Sequence, residues 1–148
     1  MYPPLNLPLA SLKLKEENIW DELRKKYVKC TPEEWVRQQF IHYLIHHLNY
    51  PMGRMVSEYK VNYNGMNKRC DIAIYDENKN AQFIVECKAP SVKITEDTFY
   101  QIAKYTYVLK APYLILTNGM EHYCAYVDRN SGSIQYLQEI PNYNDINK

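Results

Sequence analysis

No apolar run in this sequence approaches the ~20 residues that span a bilayer, so no transmembrane helix is expected. The N-terminus (Met1, Tyr2, Pro3, Pro4) lacks a charged region followed by an apolar stretch, so no secretory signal is expected either. Charge of one sign is also missing, since 18 Lys and Arg against 17 Asp and Glu leave +1. That balance excludes a nucleic-acid binder driven by bulk charge and leaves only a local patch for any DNA contact. Cysteine is sparse. Cys30, Cys70, Cys87 and Cys124 stand singly with no CxxC spacing, and they read as reduced, buried thiols of a cytoplasmic protein. What is present is the make-up of a folded domain: 46% apolar and 24% charged residues exclude disorder as the main state. The 148 residues allow one domain with one sizeable core. Tyrosine is in excess, at 15 against 3 Phe and 2 Trp, and suits half-buried sheets with a ring to bury and a hydroxyl to keep wet.

The proline-rich first ten residues read as an extended arm, and Leu12 to Val28 as a charged helix lying on the body. A clearer helix opens at Thr31-Pro32-Glu33-Glu34, which combines a capping threonine, a proline at the first helical position and a glutamate three residues past the cap. Val36, Phe40, Tyr43, Leu44 and His47 continue it to Leu48 at helical spacing, and Asn49 to Gly53 stop it. The period then becomes alternating. Met55–Tyr63, Arg69–Tyr75 and Gln82–Lys88 read as an antiparallel meander with a turn at Asn64-Gly65. A helix follows over Thr95–Leu109, capped by Thr95 or Asp97, then strands at Tyr113–Thr117, His122–Val127 and Ile134–Gln138. The polar tail from Pro141 is expected to fray.

The residues able to do chemistry cluster in the meander. Glu86 and Lys88 project from one face of an otherwise apolar strand, a costly arrangement to bury unless that face lines a metal-holding cleft. Asp71 on the neighbouring strand can add a second carboxylate. Two carboxylates and the Cys87 backbone carbonyl suffice for Mg²⁺, which keeps several waters. A lysine beside them can orient or deprotonate an attacking water, which completes a minimal apparatus for phosphodiester hydrolysis. Glu34 is explained by the capping box alone, or it joins the metal shell from the first helix. Glu58 alternates with Val56 and Lys60 and is either solvated or a further ligand. His42 and His46, at i and i+4 with Cys30 nearby in sequence, have zinc-like spacing but no HExxH, and read as surface or half-buried residues. Tyr113, Tyr123, Tyr126 and Tyr136 read as sheet filling before base-stacking groups.

Asp71 followed by Glu86-Cys87-Lys88 fifteen residues on resembles the PD-(D/E)XK nuclease motif. Thr31-Pro32-Glu33-Glu34 with Val36-Arg37-Gln38, Glu58, Arg69-Cys70-Asp71-Ile72, Glu86-Cys87-Lys88-Ala89-Pro90, Gln101 with Tyr105, and Leu116-Thr117-Asn118-Gly119 are similar to the N-terminal nuclease domain of type I restriction enzyme R subunits. The likeness runs from Thr31 to Val127, about two thirds of the chain. It implies an α/β restriction-endonuclease-like fold: a central mixed β-sheet flanked by α-helices, with a C-terminal β-hairpin extension. Within a single domain 1–148, residues 1–30 would be an arm and helix, 31–128 the nuclease-like core, and 129–148 a last strand and tail.

The resemblance implies a Mg²⁺-dependent DNA endonuclease of a restriction-like system, with Mn²⁺ as a substitute and double-stranded DNA as substrate. Asp71, Glu86 and Lys88 would be catalytic. Asp71, Glu86 and the Cys87 carbonyl would hold metal, with Glu58 and Glu34 as further candidates, and Gln101 and Tyr105 on one helix face would support DNA binding or cleavage. Methylase or translocase subunits encoded elsewhere are expected partners, since no GxxxxGK[ST] occurs in the sequence. The alternative is a catalytically silent DNA-binding or protein-interaction module that retains the nuclease fold.

Overall fold

A computed structural model describes residues 2–63 and 65–146, with backbone alone for residues 59, 61, 63, 66–68 and 105–109. A six-stranded mixed sheet runs in sequence order through β4 (Met55–Tyr63), β5 (Met66–Tyr75), β6 (Ala81–Cys87), β7 (Tyr113–Thr117), β8 (His122–Val127) and β9 (Ile134–Leu137). All neighbours pair antiparallel except β6 and β7, which are parallel because the helical crossover α2 (Glu96–Leu109) joins them. Helix α1 (Pro32–His46) covers one face through Val36, Phe40, Ile41 and Leu44, which pack on Ile72, Phe83, Val85 and Ile115. Helix α2 covers the other through Phe99, Ile102 and Ala103, against Ala73, Ile84, Leu114 and Ala125. The expected layers, strand order and C-terminal hairpin extension are all present. No helix among the described residues is long and apolar enough to cross a membrane.

The helix starts follow their sequence signals. Thr31 Oγ1 accepts the Glu34 N–H at 3.0 Å, and Thr95 Oγ1 accepts the Thr98 N–H at 3.2 Å, which settles the second cap on Thr95. Helix α1 ends as Asn49 takes a φ of +65°. Of the turn expected at Asn64-Gly65, Asn64 lies outside the described residues.

Two expectations are corrected. Leu12 to Val28 forms no helix but a separate three-stranded antiparallel sheet of β1 (Leu14–Lys15), β2 (Asn18–Asp21) and β3 (Lys26–Lys29). The decisive pattern is two-residue alternation along β2: Ile19 and Asp21 are wholly buried while Asn18 and Trp20, which alternate with them, are half-buried. Glu16 and Lys25 adopt φ values of 57° and 55° in the two turns, a backbone no helix contains. The buried Asp21 carboxylate accepts the N–H groups of Leu23 and Arg24 at 2.9 and 3.1 Å, which builds the second turn. The tail is also docked up to Ile146. Helix α3 (Tyr143–Ile146) packs Tyr143 and Ile146 on the α1-side core, Tyr50 Oη donates to the Pro141 carbonyl at 2.8 Å, and Arg54 donates to Tyr143 Oη at 2.6 Å.

Candidate metal centre

Asp71 and Glu86 meet where β5 parts from β6. Register along β5 pairs Ser57 with Ile72 and Tyr59 with Cys70, and Glu58 and Asp71 drop out of the ladder between them. Ile72 packs on the α1 side and Cys70, two residues away, on the α2 side, so the strand turns over at Asp71. Glu58 carries a φ of 55°, a left-handed backbone that costs a non-glycine residue roughly 1–2 kcal/mol and marks the kink. The turn aims Asp71 at the end of β6, where its Oδ2 accepts the Cys87 N–H at 2.7 Å.

Glu86 is buried beside Asp71. Burial first, and the charge of Asp71 next, push it up to about 8, while the Lys88 ammonium opposes the rise. The charges of Asp71 and Lys88 thus both act on Glu86 at the C-terminal end of β6. The Cys87 carbonyl stands between Glu86 and Lys88 in the chain, and Cys87 itself is buried, free, and raised well above the ordinary thiol range by burial. Cys70 is raised by burial and by Glu86.

Glu34 and Glu58 reach this pair through arginine. Arg37 donates to Asp71 Oδ1 at 3.2 Å and lies 3.3 Å from Glu34 and 3.7 Å from Glu58. Arg24, from the β2–β3 turn, lies 3.6 Å from Glu34 and 3.3 Å from Glu58 and pairs with Asp21. Burial works against the Arg37 charge, and Glu34 and Asp71 more than offset it, so its pKa stays above the ordinary value. Arg37 Nε and Nη1 are nonetheless buried without a hydrogen-bond partner. The Glu34 carboxylate accepts from Gln38 at 2.9 Å, so its side chain points into the cluster instead of back to Thr31 as a capping box would have it. Arg69 adds a contact to Glu58 at 3.3 Å. Glu33, at the mouth, is raised by burial and by Asp71, with Lys88 and Arg37 opposing.

Sequence reasoning missed Glu33, Arg37 and Arg24 as members of this cluster. Arg37 was findable, standing one turn beyond Glu33 and Glu34. Arg24 carries no local signal because tertiary folding delivers it. Gln101 is exposed on α2 with no hydrogen bond to the cluster among the described residues, and the Tyr105 side chain lies outside them. His42 and His46 stack 4.2 Å apart on α1 and are half-buried and exposed, as expected.

Among the described residues no three His, Cys, Asp or Glu side chains already converge to hold a metal ion. The donor chemistry nonetheless fits a hard cation, because Asp71 and Glu86 are two carboxyls forced together in a buried site.

The family model described as type I restriction enzyme R protein N terminus matches residues 32–141. Among solved structures, a fragment described as an HsdR subunit of a type I restriction enzyme from Vibrio vulnificus YJ016 is similar at 17% identity and a TM-score of 0.49. The match covers 69% of this chain and 22% of that one, so the chain spans less than a quarter of its length. None of the curated proteins matches.

Proposed function

The chain belongs to the family of type I restriction enzyme R protein N termini, and on that premise we propose that it is a metal-dependent DNA endonuclease domain of a restriction-like system. The observation that carries the reading is the meeting of the Asp71 and Glu86 carboxyls beside Lys88. Asp71, Glu86 and the Cys87 carbonyl would hold Mg²⁺, or Mn²⁺ in its place. When bound, the ion supplies positive charge beside the scissile phosphate of double-stranded DNA. Lys88 orients the attacking water and offsets charge that develops on the phosphate. Arg37 keeps Asp71 turned toward the end of β6, and Glu34 and Glu58 hold Arg37 and Arg24 in place. Gln101 and Tyr105 support the DNA from α2. Methylase and translocase subunits are the partners this family reading implies.

One observation favours a second reading, a silent DNA-binding or protein-interaction module. Both Asp71 oxygens already have protein partners, Arg37 on one and the Cys87 N–H on the other. Plasmid nicking with Mg²⁺ or Mn²⁺ separates the two. The wild type is expected to convert supercoiled plasmid, and Lys88→Ala to be slower by about 10²-fold or more. Equal rates for the two proteins, or no cutting with metal and partner subunits present, would favour the module.

A further inference from the structure

The three-stranded sheet β1–β3 lies before the residues that match the family model, and its two faces differ in chemistry. The inner face carries the wholly buried Ile19 and Asp21. On the outer face two cross-strand rows lie side by side. Lys15, Asn18 and Lys29 form one by register. Trp20 pairs with Tyr27 in the other, and the Trp20 N–H donates to the Lys13 carbonyl at 2.9 Å, which brings Lys13 into that row. This face therefore presents three ammonium groups and two aromatic rings, with no carboxylate in either row. The acids sit in the turns at its margins: Glu16 and Glu17 line a cavity with Lys29, and Glu22 lines a groove with Lys13 and Trp20 and is paired with Lys25 at 3.2 Å. Lys13, Lys15 and Lys29 are exposed and form no ion pair among the described residues.

The rings are set for stacking. Trp20 and Tyr27 meet edge to face at 5.2 Å, and Tyr27 is 40% exposed. The Lys13 ammonium sits 5.5 Å from the Trp20 ring and Lys15 5.8 Å from that of Tyr27, which holds both charges over the aromatic surface. Phosphates spaced along a strand with bases between them are complementary to such a face, and a chain of net charge +1 has little other attraction for DNA. The sheet is also tied to the candidate centre, because Arg24 in its β2–β3 turn contacts both Glu34 and Glu58.

We propose that the outer face of β1–β3 is a DNA exosite: Lys13, Lys15 and Lys29 contact backbone phosphates, and Tyr27, braced by Trp20, stacks an unpaired base. It rests on DNA being the substrate of the neighbouring carboxylate centre. The test is fluorescence anisotropy of the full chain with labelled single-stranded and duplex oligonucleotides, in EDTA and across a salt series. Replacing Lys13, Lys15 and Lys29 together by Gln should weaken single-strand binding and flatten its log–log salt slope by about 2, at ~0.7 per phosphate contact. Tyr27→Ala should weaken single-strand binding about tenfold and duplex binding much less. The charge-matched control replaces Lys79, Lys110 and Arg129 by Gln. All three lie at the opposite end of the six-stranded sheet from Glu86 and should leave the slope unchanged. An equal loss in the control, an unchanged slope in the face variant, or no DNA binding by the wild type would each overturn the exosite. A protein that binds here in EDTA yet never cuts with metal present leaves the exosite standing and removes only the nuclease reading.

Discussion

Glu86 and Arg37 are buried ionisable groups of opposite kinds, and each has a measurable consequence. A carboxyl whose folded pKa of about 8 exceeds its ordinary 4.5 binds its proton more tightly in the folded chain than in the unfolded one. Stability from this group therefore falls as pH rises from about 4.5 to about 8. Glu33 is shifted the same way, whereas His42 and His122, lowered by burial, act in the opposite sense around their ordinary 6.5. The metal-free protein should lose stability toward pH 8, and Glu86→Gln should remove most of that slope. Urea melts at pH 5.5 and 8 for both proteins check it, and equal slopes would deny the raised carboxyl. Arg37 is a counterion of Glu34, Glu58 and Asp71, so Arg37→Met should cost about 3 kcal/mol by taking the buried positive charge from Glu34 and Asp71, while Arg24 still reaches Glu34 and Glu58. In the Glu34→Gln background the same change should cost clearly less, which a double-mutant cycle by urea unfolding measures.

At the scale of elements, the β7–β8 turn holds the N-terminal arm. Asn118 Oδ1 accepts the N–H groups of Met120 and Glu121 at 2.9 and 2.8 Å, which closes the turn. Gly119 has a second duty. Its φ is +87°, and an added Cβ would stand 2.8 Å from Leu5 Cδ2 and 3.2 Å from Val36 Cγ2. The arm is pinned there by the Asn6 N–H on the Gly119 carbonyl at 2.9 Å and by His122 on the Asn6 carbonyl at 2.8 Å. Gly119→Ala should destabilise by more than the ~1 kcal/mol of backbone strain alone. In a Leu5→Ala background its cost should fall, since the closer of the two contacts is then relieved and only that with Val36 remains. Chemical denaturation of the four proteins reads both terms. Equal cost in both backgrounds would show that the arm does not press on this turn.

For the whole molecule, legibility tracked locality. The six sheet strands, both long helices and the pairing of Asp71 with Glu86 were readable because alternation, helical spacing, caps and turns are local signals. The β1–β3 sheet was misread because its strands are too short for alternation to compete with scattered apolar positions, and Ile19 and Asp21 are inward only relative to α1. Arg24 was missed for the same reason, since a turn brings it to Glu34 across the fold. The turning over of β5 at Asp71, which aims its carboxylate, leaves no trace in residue pattern.

The central claim is that Asp71 and Glu86 form a divalent-cation site. A cation that binds only the folded chain raises its melting temperature by mass action, by about 2.7 kcal/mol of stability at a hundredfold excess over the dissociation constant. Thermal melting of the wild type, Asp71→Asn, Glu86→Gln and Glu34→Gln is therefore to be followed through a Mg²⁺ and Mn²⁺ titration without DNA. The wild type should gain several degrees, Asp71→Asn less, Glu86→Gln almost nothing, and Glu34→Gln nearly as much as the wild type. Equal metal-induced gains in the wild type and Glu86→Gln would contradict the site.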